Sequence, residues 1–340
     1  MKKILLILIF CSLYQHPLHA QVSGFFDGNS FFLQEKERIR PPKKASVLSF
    51  YFGPSNYLGD LGGNSGVGRP FFYDNNFKKR TYFYGISFTK MYRSALGFRF
   101  AYSAGRIAGS DLDAAFKDRL DNAYTRYKRN LDFRTTINEA SLLLEFYPLK
   151  CIYYRYPLHH IPIQPYLLGG IGLFAFNPQG SYFDPIADDY QWVDLHPLRT
   201  EGQGMKEIPF RDPYKLTQWN MPFGAGLQFG ITPKTSLSLE FVGRRLFTDY
   251  LDDVSTFYVD PALFDQYLSP AQAELAKLMN NKSRFIDPDN PYLPGAKRGN
   301  PNYRDFYYSI NIKLSIRINK ITTPTFLKKQ YKFDDSEICD

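Results

Sequence analysis

Three carboxylates, Asp249, Asp252 and Asp253, crowd the run Thr248-Asp249-Tyr250-Leu251-Asp252-Asp253-Val254-Ser255, and Asp260 follows shortly after. Oxygen ligands of this kind could hold calcium, but their spacing matches no EF-hand loop. The reading favoured is a hydrogen-bonded rim. His159-His160, between Pro157 and Pro162, offers imidazole nitrogens. Adjacent histidines point in different directions, and no nearby Cys or carboxylate completes a metal site. Gly170-Ile171-Gly172-Leu173-Phe174-Ala175 satisfies the dinucleotide pattern G-x-G-x-x-A. That pattern binds a cofactor only where a strand turns into a helix, and these residues read as the inside of a strand. The sequence contains neither a Gly-x-Ser-x-Gly elbow nor a His-Glu-x-x-His pair, so no nucleophile or metal pair for hydrolysis is visible. We therefore expect a non-enzymatic protein without a cofactor.

A second set of ionisable residues is spread along the chain: Arg99, Glu139, Glu145, Glu240, Lys313 and Arg317. All six fall on one parity of segments that alternate polar and apolar residues, the signature of strands with two different faces. On one face stand Tyr82, Tyr84, Ile86 and Phe88; Leu96, Phe98, Phe100 and Tyr102; Ala140, Leu142, Leu144 and Phe146. The same pattern returns at Trp219–Phe229, Leu237–Phe241 and Tyr308–Ile318. With less regular strands near 45–53 and 164–176, the count is eight. The ions could line a conduit or do acid/base work. Pairing that seals a narrow interior is preferred, because an unpaired buried charge is costly.

Connections between these strands alternate strictly. Short ones cover 93–94, roughly 150–163 and 232–234; long ones cover about 59–79, 107–130, 177–213 and 249–303. This is the pattern of an antiparallel up-and-down transmembrane β-barrel, all-β, with short periplasmic turns and long extracellular loops. A soluble sandwich would put its apolar stripe inside. Here the polar stripe is rich in Gly and Ser, as a narrow barrel interior needs, while Leu, Ile and Phe with terminal Tyr and Trp suit lipid and its interfaces. Within the fourth long loop, Ser269-Pro270-Ala271-Gln272 predicts a capped helix running to about Met279.

Lys2 and Lys3, the apolar run 4–13 and Leu18-His19-Ala20 form a secretory leader, expected to be cut after Ala20. The division expected is a signal peptide at 1–20, a periplasmic segment at 21–44, the barrel at 45–318 and a periplasmic tail at 319–340. Removing Lys2 and Lys3 lowers the formal charge from +9 to +7. No nucleic-acid motif accompanies that charge, and nucleic acid is not expected as a partner. Aromatics make up 17% of the chain, which fits interfacial girdles. Of the cysteines, Cys151 and Cys339 lie beyond the leader; spacing alone does not settle whether they bridge.

Several stretches resemble a known family. They are Ser55-Asn56-Tyr57-Leu58-Gly59-Asp60-Leu61-Gly62-Gly63, Asn138-Glu139-Ala140 leading into Glu145-Phe146-Tyr147-Pro148-Leu149, and Pro165-Tyr166 with Gly169-Gly170-Ile171-Gly172. The most specific is the Thr248–Ser255 run with Tyr258 and Asp260-Pro261. Together they resemble the outer-membrane barrel family labelled DUF6089 over roughly 45–318. That family includes the barrel component of the type IX (Por) secretion and gliding machinery of Bacteroidetes. The resemblance implies an outer-membrane location, contact with outer-membrane lipid, and an anchor for a periplasmic ring built from a lipoprotein and its partner subunit. It carries over no catalytic residue. Docking residues expected on the periplasmic side are Tyr153, Tyr154 and Tyr156 in the longest turn and Tyr331 and Phe333 in the tail. A small pore and a structural OmpA-like barrel of unrelated role are the alternatives.

Overall fold

Alternation dictates the architecture. Residues 44–58, 81–92 and their successors put one parity against lipid and the other against the interior, and a sheet with two such faces is satisfied by closing on itself. A computed structural model describes residues 44–61, 81–92, 95–114, 121–150, 163–232 and 234–318. Its strands are β1 (Lys44–Leu58), β2 (Thr81–Tyr92), β3 (Leu96–Ser110), β4 (Asp132–Phe146), β5 (Ile163–Ala175), β6 (Pro178–Asp184), β7 (Asp189–Asp194), β8 (Thr217–Gly230), β9 (Thr235–Leu246) and β10 (Phe306–Arg317). Eight of them pair antiparallel in the order β3-β2-β1-β10-β9-β8-β5-β4, and β3 pairs with β4 to close the ring. The first and last strands meet from Val47↔Arg317 to Leu58↔Phe306. No edge is left in this eight-stranded transmembrane barrel.

The outward parity is apolar and bare: Phe98 is 59% exposed, Leu142 58% and Ile312 61%. Rings of such side chains from every strand exceed any apolar patch a soluble monomer presents, and only lipid can cover them. No helix among the described residues is long and apolar enough to cross a membrane.

Most barrel strands run past their alternating blocks, β3 as far as Ser110 and β4 from as early as Asp132. β4 begins at Asp132, next to the long connection read at 107–130, so the wall rises well past the apolar band at the end bearing the long connections. There the connections fold into a cap. Helix α1 (Asn122–Arg129) starts under Asp121, whose Oδ1 accepts the Ala123 amide at 2.9 Å, and ends on Asn130 in the left-handed conformation at φ 58°. Helices α2 (Ala262–Tyr267) and α3 (Pro270–Asn280) cross the cap. The predicted helix is therefore present, one residue longer than expected. Its Ser269 hydroxyl bonds Gln272 Oε1 at 2.9 Å instead of capping a backbone amide. The span 177–213, read from the sequence as a plain loop, instead contains the β6–β7 hairpin, which leans on β4 through Arg134↔Gln179 and Thr135↔Pro178.

The leader, both terminal segments and the turn 151–162 lie outside the described residues. So do Tyr153, Tyr154, Tyr156, Tyr331, Phe333, His159, His160, Cys151 and Cys339.

Candidate functional site

Inward-facing residues stack in layers from the short-turn end to the cap. The lowest layer is a four-ion cluster built from four strands. Arg99 of β3 bonds Glu145 of β4, and its Nη2 lies 2.7 Å from Glu240 Oε2 on β9. Lys313 of β10 reaches the same Glu240 oxygen at 2.9 Å and Glu145 at 3.7 Å. Tyr166 and Tyr147 donate to Glu240 and Glu145 at 2.6 and 2.8 Å, and their rings stack with centroids 5.0 Å apart. Two cations meet two carboxylates, so the layer carries no net charge.

Above it, Glu139 accepts from three sides: Arg244 Nε at 3.0 Å, Asn220 Nδ2 at 2.6 Å and Tyr307 Oη at 2.8 Å. Arg244 also donates to the Val242 carbonyl and the Ser309 hydroxyl, and its guanidinium lies over the rings of Phe83 and Tyr307. Arg244 lies on the inward parity of Ser238, Glu240 and Val242, beyond the six ions that the alternation marks. Arg317 is placed apart from both layers, half-exposed at the end of β10, with no ion pair among the described residues. Gly170 and Gly172 sit within β5, where a Cβ would meet the Leu142 carbonyl oxygen at 2.0 Å and the Asn220 side chain at 2.2 Å. These glycines make room for neighbouring strands rather than for phosphate.

Next comes an aromatic and aliphatic plug of Phe83, Ile107, Phe133, Ile137, Phe174 and Tyr307, each essentially without solvent contact. The cap closes over it, with carboxylates at its centre. Tyr57 Oη lies 2.6 Å from Asp252 Oδ2 and 2.6 Å from Asp305 Oδ1. Asp252 further accepts the amides of Leu61 and Val254, and Asp305 that of Leu251. A phenol has one proton to give, so one of the two carboxyls must bring its own to the second short contact. Burial, with Asp60 adding its negative charge, pushes Asp252 up to about 8. Asp305 is raised well above the carboxylate range by burial and then by Asp252 and Asp249. Asp249, only partly buried, is pushed to about 8 by the same causes, burial first.

Asp253 plays a separate part. It bonds Thr200, accepts from Tyr214 Oη at 2.8 Å and faces Arg298, whose Nη1 holds the buried Glu201 at 2.9 Å. Burial still lifts Asp253 to about 6. Asp260 is exposed and accepts the Ala262 amide at 2.9 Å, holding the start of α2. Arg129 clamps Asp111 through two bonds of 2.7 Å and donates to the Asp60 and Arg298 carbonyls. The four predicted rim residues thus divide among three local arrangements. Among the described residues no three His, Cys, Asp or Glu side chains are arranged to hold a metal ion.

The arrangement seals. Arg99, Glu139, Glu145, Glu240, Arg244 and Lys313 are each no more than 3% exposed, which a water-filled lumen would not permit. Nothing in these layers combines a nucleophile with a base and an open space for substrate.

Residues 42–196 match the family described as a domain of unknown function, DUF6089. No curated protein matches the chain. Among solved structures, a major outer membrane protein of Thermus thermophilus is 10% identical with a TM-score of 0.37, over 81% of this chain and all of that one. The attachment invasion locus protein Ail of Yersinia pestis is 9% identical with a TM-score of 0.35, over 82% of this chain and all of that one. Outer Membrane Protein W of E. coli is 14% identical with a TM-score of 0.30, over 81% and 98%. The fold described above rests on the strand register, and these likenesses add no argument about function.

Proposed function

We propose that this protein is a non-enzymatic outer-membrane barrel that acts as an anchor for a periplasmic assembly, of the kind used by the type IX secretion and gliding machinery. The observation that carries the reading is the shut interior: charge-balanced ion layers, an aromatic plug and a folded cap fill the cylinder from end to end. A barrel filled in this way contributes a membrane footing and two surfaces, not a passage. The family match over 42–196 and the basic segment 35–44, with five basic and two acidic residues, support docking at the end bearing the short turns.

Three measurements test the reading. Planar bilayers holding the purified protein should show no steady conductance above background; a stable open channel would favour the small-pore alternative. Deleting 321–340, or replacing Tyr153 and Tyr154 with Ser, should leave heat-modifiable gel mobility unchanged and release a periplasmic lipoprotein from crosslinked envelopes. Retention of every wild-type partner by both variants would move docking elsewhere. For orientation, trypsin added to intact cells should cut at the exposed Arg284 or Lys297. Cutting only after the outer membrane is opened would invert the topology.

A further inference from the structure

The β6–β7 hairpin stands outside the sealed cylinder and takes no part in sealing it. Its inner side is occupied, since Tyr182 and Val193 pack on the cap cluster of Leu195, Phe264 and Met279. Its other side is open. Phe183 and Tyr190 face each other across the ladder with ring centroids 5.6 Å apart, yet are 49% and 63% exposed, and Ile186 at the tip is 95% exposed. β7 is also the last strand of its sheet, with no strand on its far side among the described residues. Alternate amides and carbonyls along such an edge have no ladder partner.

The charge of this element is opposite to that of the chain. Residues 178–194 hold Asp184, Asp188, Asp189 and Asp194 with no Lys or Arg, in a sequence whose formal charge is +9. Neighbouring cations are engaged: Arg134 lies over the Trp192 ring at 4.2 Å and bonds Gln179, and Lys282 is held by Asp132 and the Ser181 carbonyl. We infer that the free edge of β7 is a docking strand for an extended, cationic segment of another protein, which adds to the sheet and lays its apolar side chains on Phe183, Tyr190 and Trp192. Strand addition of this kind takes affinity from main-chain bonds and specificity from alternate side chains.

Charge separates this occupant from the others. A second copy pairing antiparallel through β7 about Gln191 would set Asp188 opposite Asp194 twice, and like charges directly across a ladder destabilise it. Lipid is a poor occupant because the row Arg134, Gln179 and Asp194 interrupts the apolar surface between the barrel band and the hairpin aromatics.

The test uses the full chain in zwitterionic lipid nanodiscs with two labelled ten-residue probes, one alternating Lys and Val, the other Glu and Val. The Lys-Val probe should bind, weaken with salt, and lose at least tenfold in affinity in the Asp188→Asn/Asp189→Asn variant and in Tyr190→Ser. Hydrogen exchange should slow at alternate amides of 189–194 when it binds. Heat-modifiable mobility of both variants should match that of the parent, which separates lost docking from lost folding. Equal binding of the Glu-Val probe, unchanged affinity in both variants, absence of new protection on β7, or dimers that dissolve on these substitutions would each overturn the inference.

Discussion

Replacing Arg244 with Met should destabilise the barrel by about 3–5 kcal/mol, the usual result of leaving a buried charge without its partner. Glu139 would keep the Asn220 and Tyr307 donors but lose its counter-charge, inside a cylinder with lipid on every side. Glu139→Ala should cost a similar amount, because Arg244 would then rest on one carbonyl, one hydroxyl and two ring faces. The double variant Glu139→Gln/Arg244→Met should recover much of the loss, since neither charge is then buried alone. Urea titration in detergent, followed by the folded and unfolded gel bands, measures all three. If the single variants unfold like the parent, water reaches this layer and the interior is not sealed.

The second large effect is on pH. Asp252 and Asp305 hold protons more tightly in the folded cap than in the unfolded chain, where Asp titrates near pH 4. A raised folded-state value means stability is greatest at low pH. It falls as pH climbs from about 4 through about 8, where Asp252 is half ionised. Moving one carboxyl from about 4 to about 8, as at Asp252, can withdraw on the order of 5 kcal/mol across that window. The groups facing them are Asp60 and Asp249, which reinforce the shift, and Arg129, which opposes it. Proteolysis of the cap should therefore be much faster at pH 9 than at pH 6. Asp305→Asn, whose amide can donate permanently to Tyr57, should flatten that profile. A profile that is flat in the parent would mean that a bound cation, not a proton, joins the two carboxylates.

The barrel was legible because a two-faced strand writes its parity into the sequence: Phe98 and Phe100 outward, Arg99 and Ala101 inward, repeated eight times. Carrying the parity of Ser238, Glu240 and Val242 one step further reaches Arg244, and the same step back from Ser309 reaches Tyr307. These were findable from local pattern. The β6–β7 hairpin was not, because Pro178, Gly180 and the tip Pro185-Ile186 break the alternation, and its inner face needs the cap helices as a partner. Nor could the sequence show that Asp252 and Asp253, one position apart, serve different clusters. Asp253 takes positive φ at 63°, and its carboxyl bonds Thr200 and Tyr214 while that of Asp252 accepts from Tyr57.

Closure between the first and last strands also fixes a chronology. Tyr57 meets Asp305 across 248 positions, and Asp60 receives the Asn300 amide across 240. Neither bond can exist until the last long connection has been delivered, so these two contacts of the cap are among the last in the molecule to be made. Pairings this remote along the chain form slowly, and until they form, β1 presents a bare edge to whatever is nearby. A chain cut short before Phe306 would therefore be an open curl without a lipid-proof seam, rather than a weaker version of the whole. The seam between β1 and β10 is what a finished barrel adds to a chain that already carries the rest of its cap.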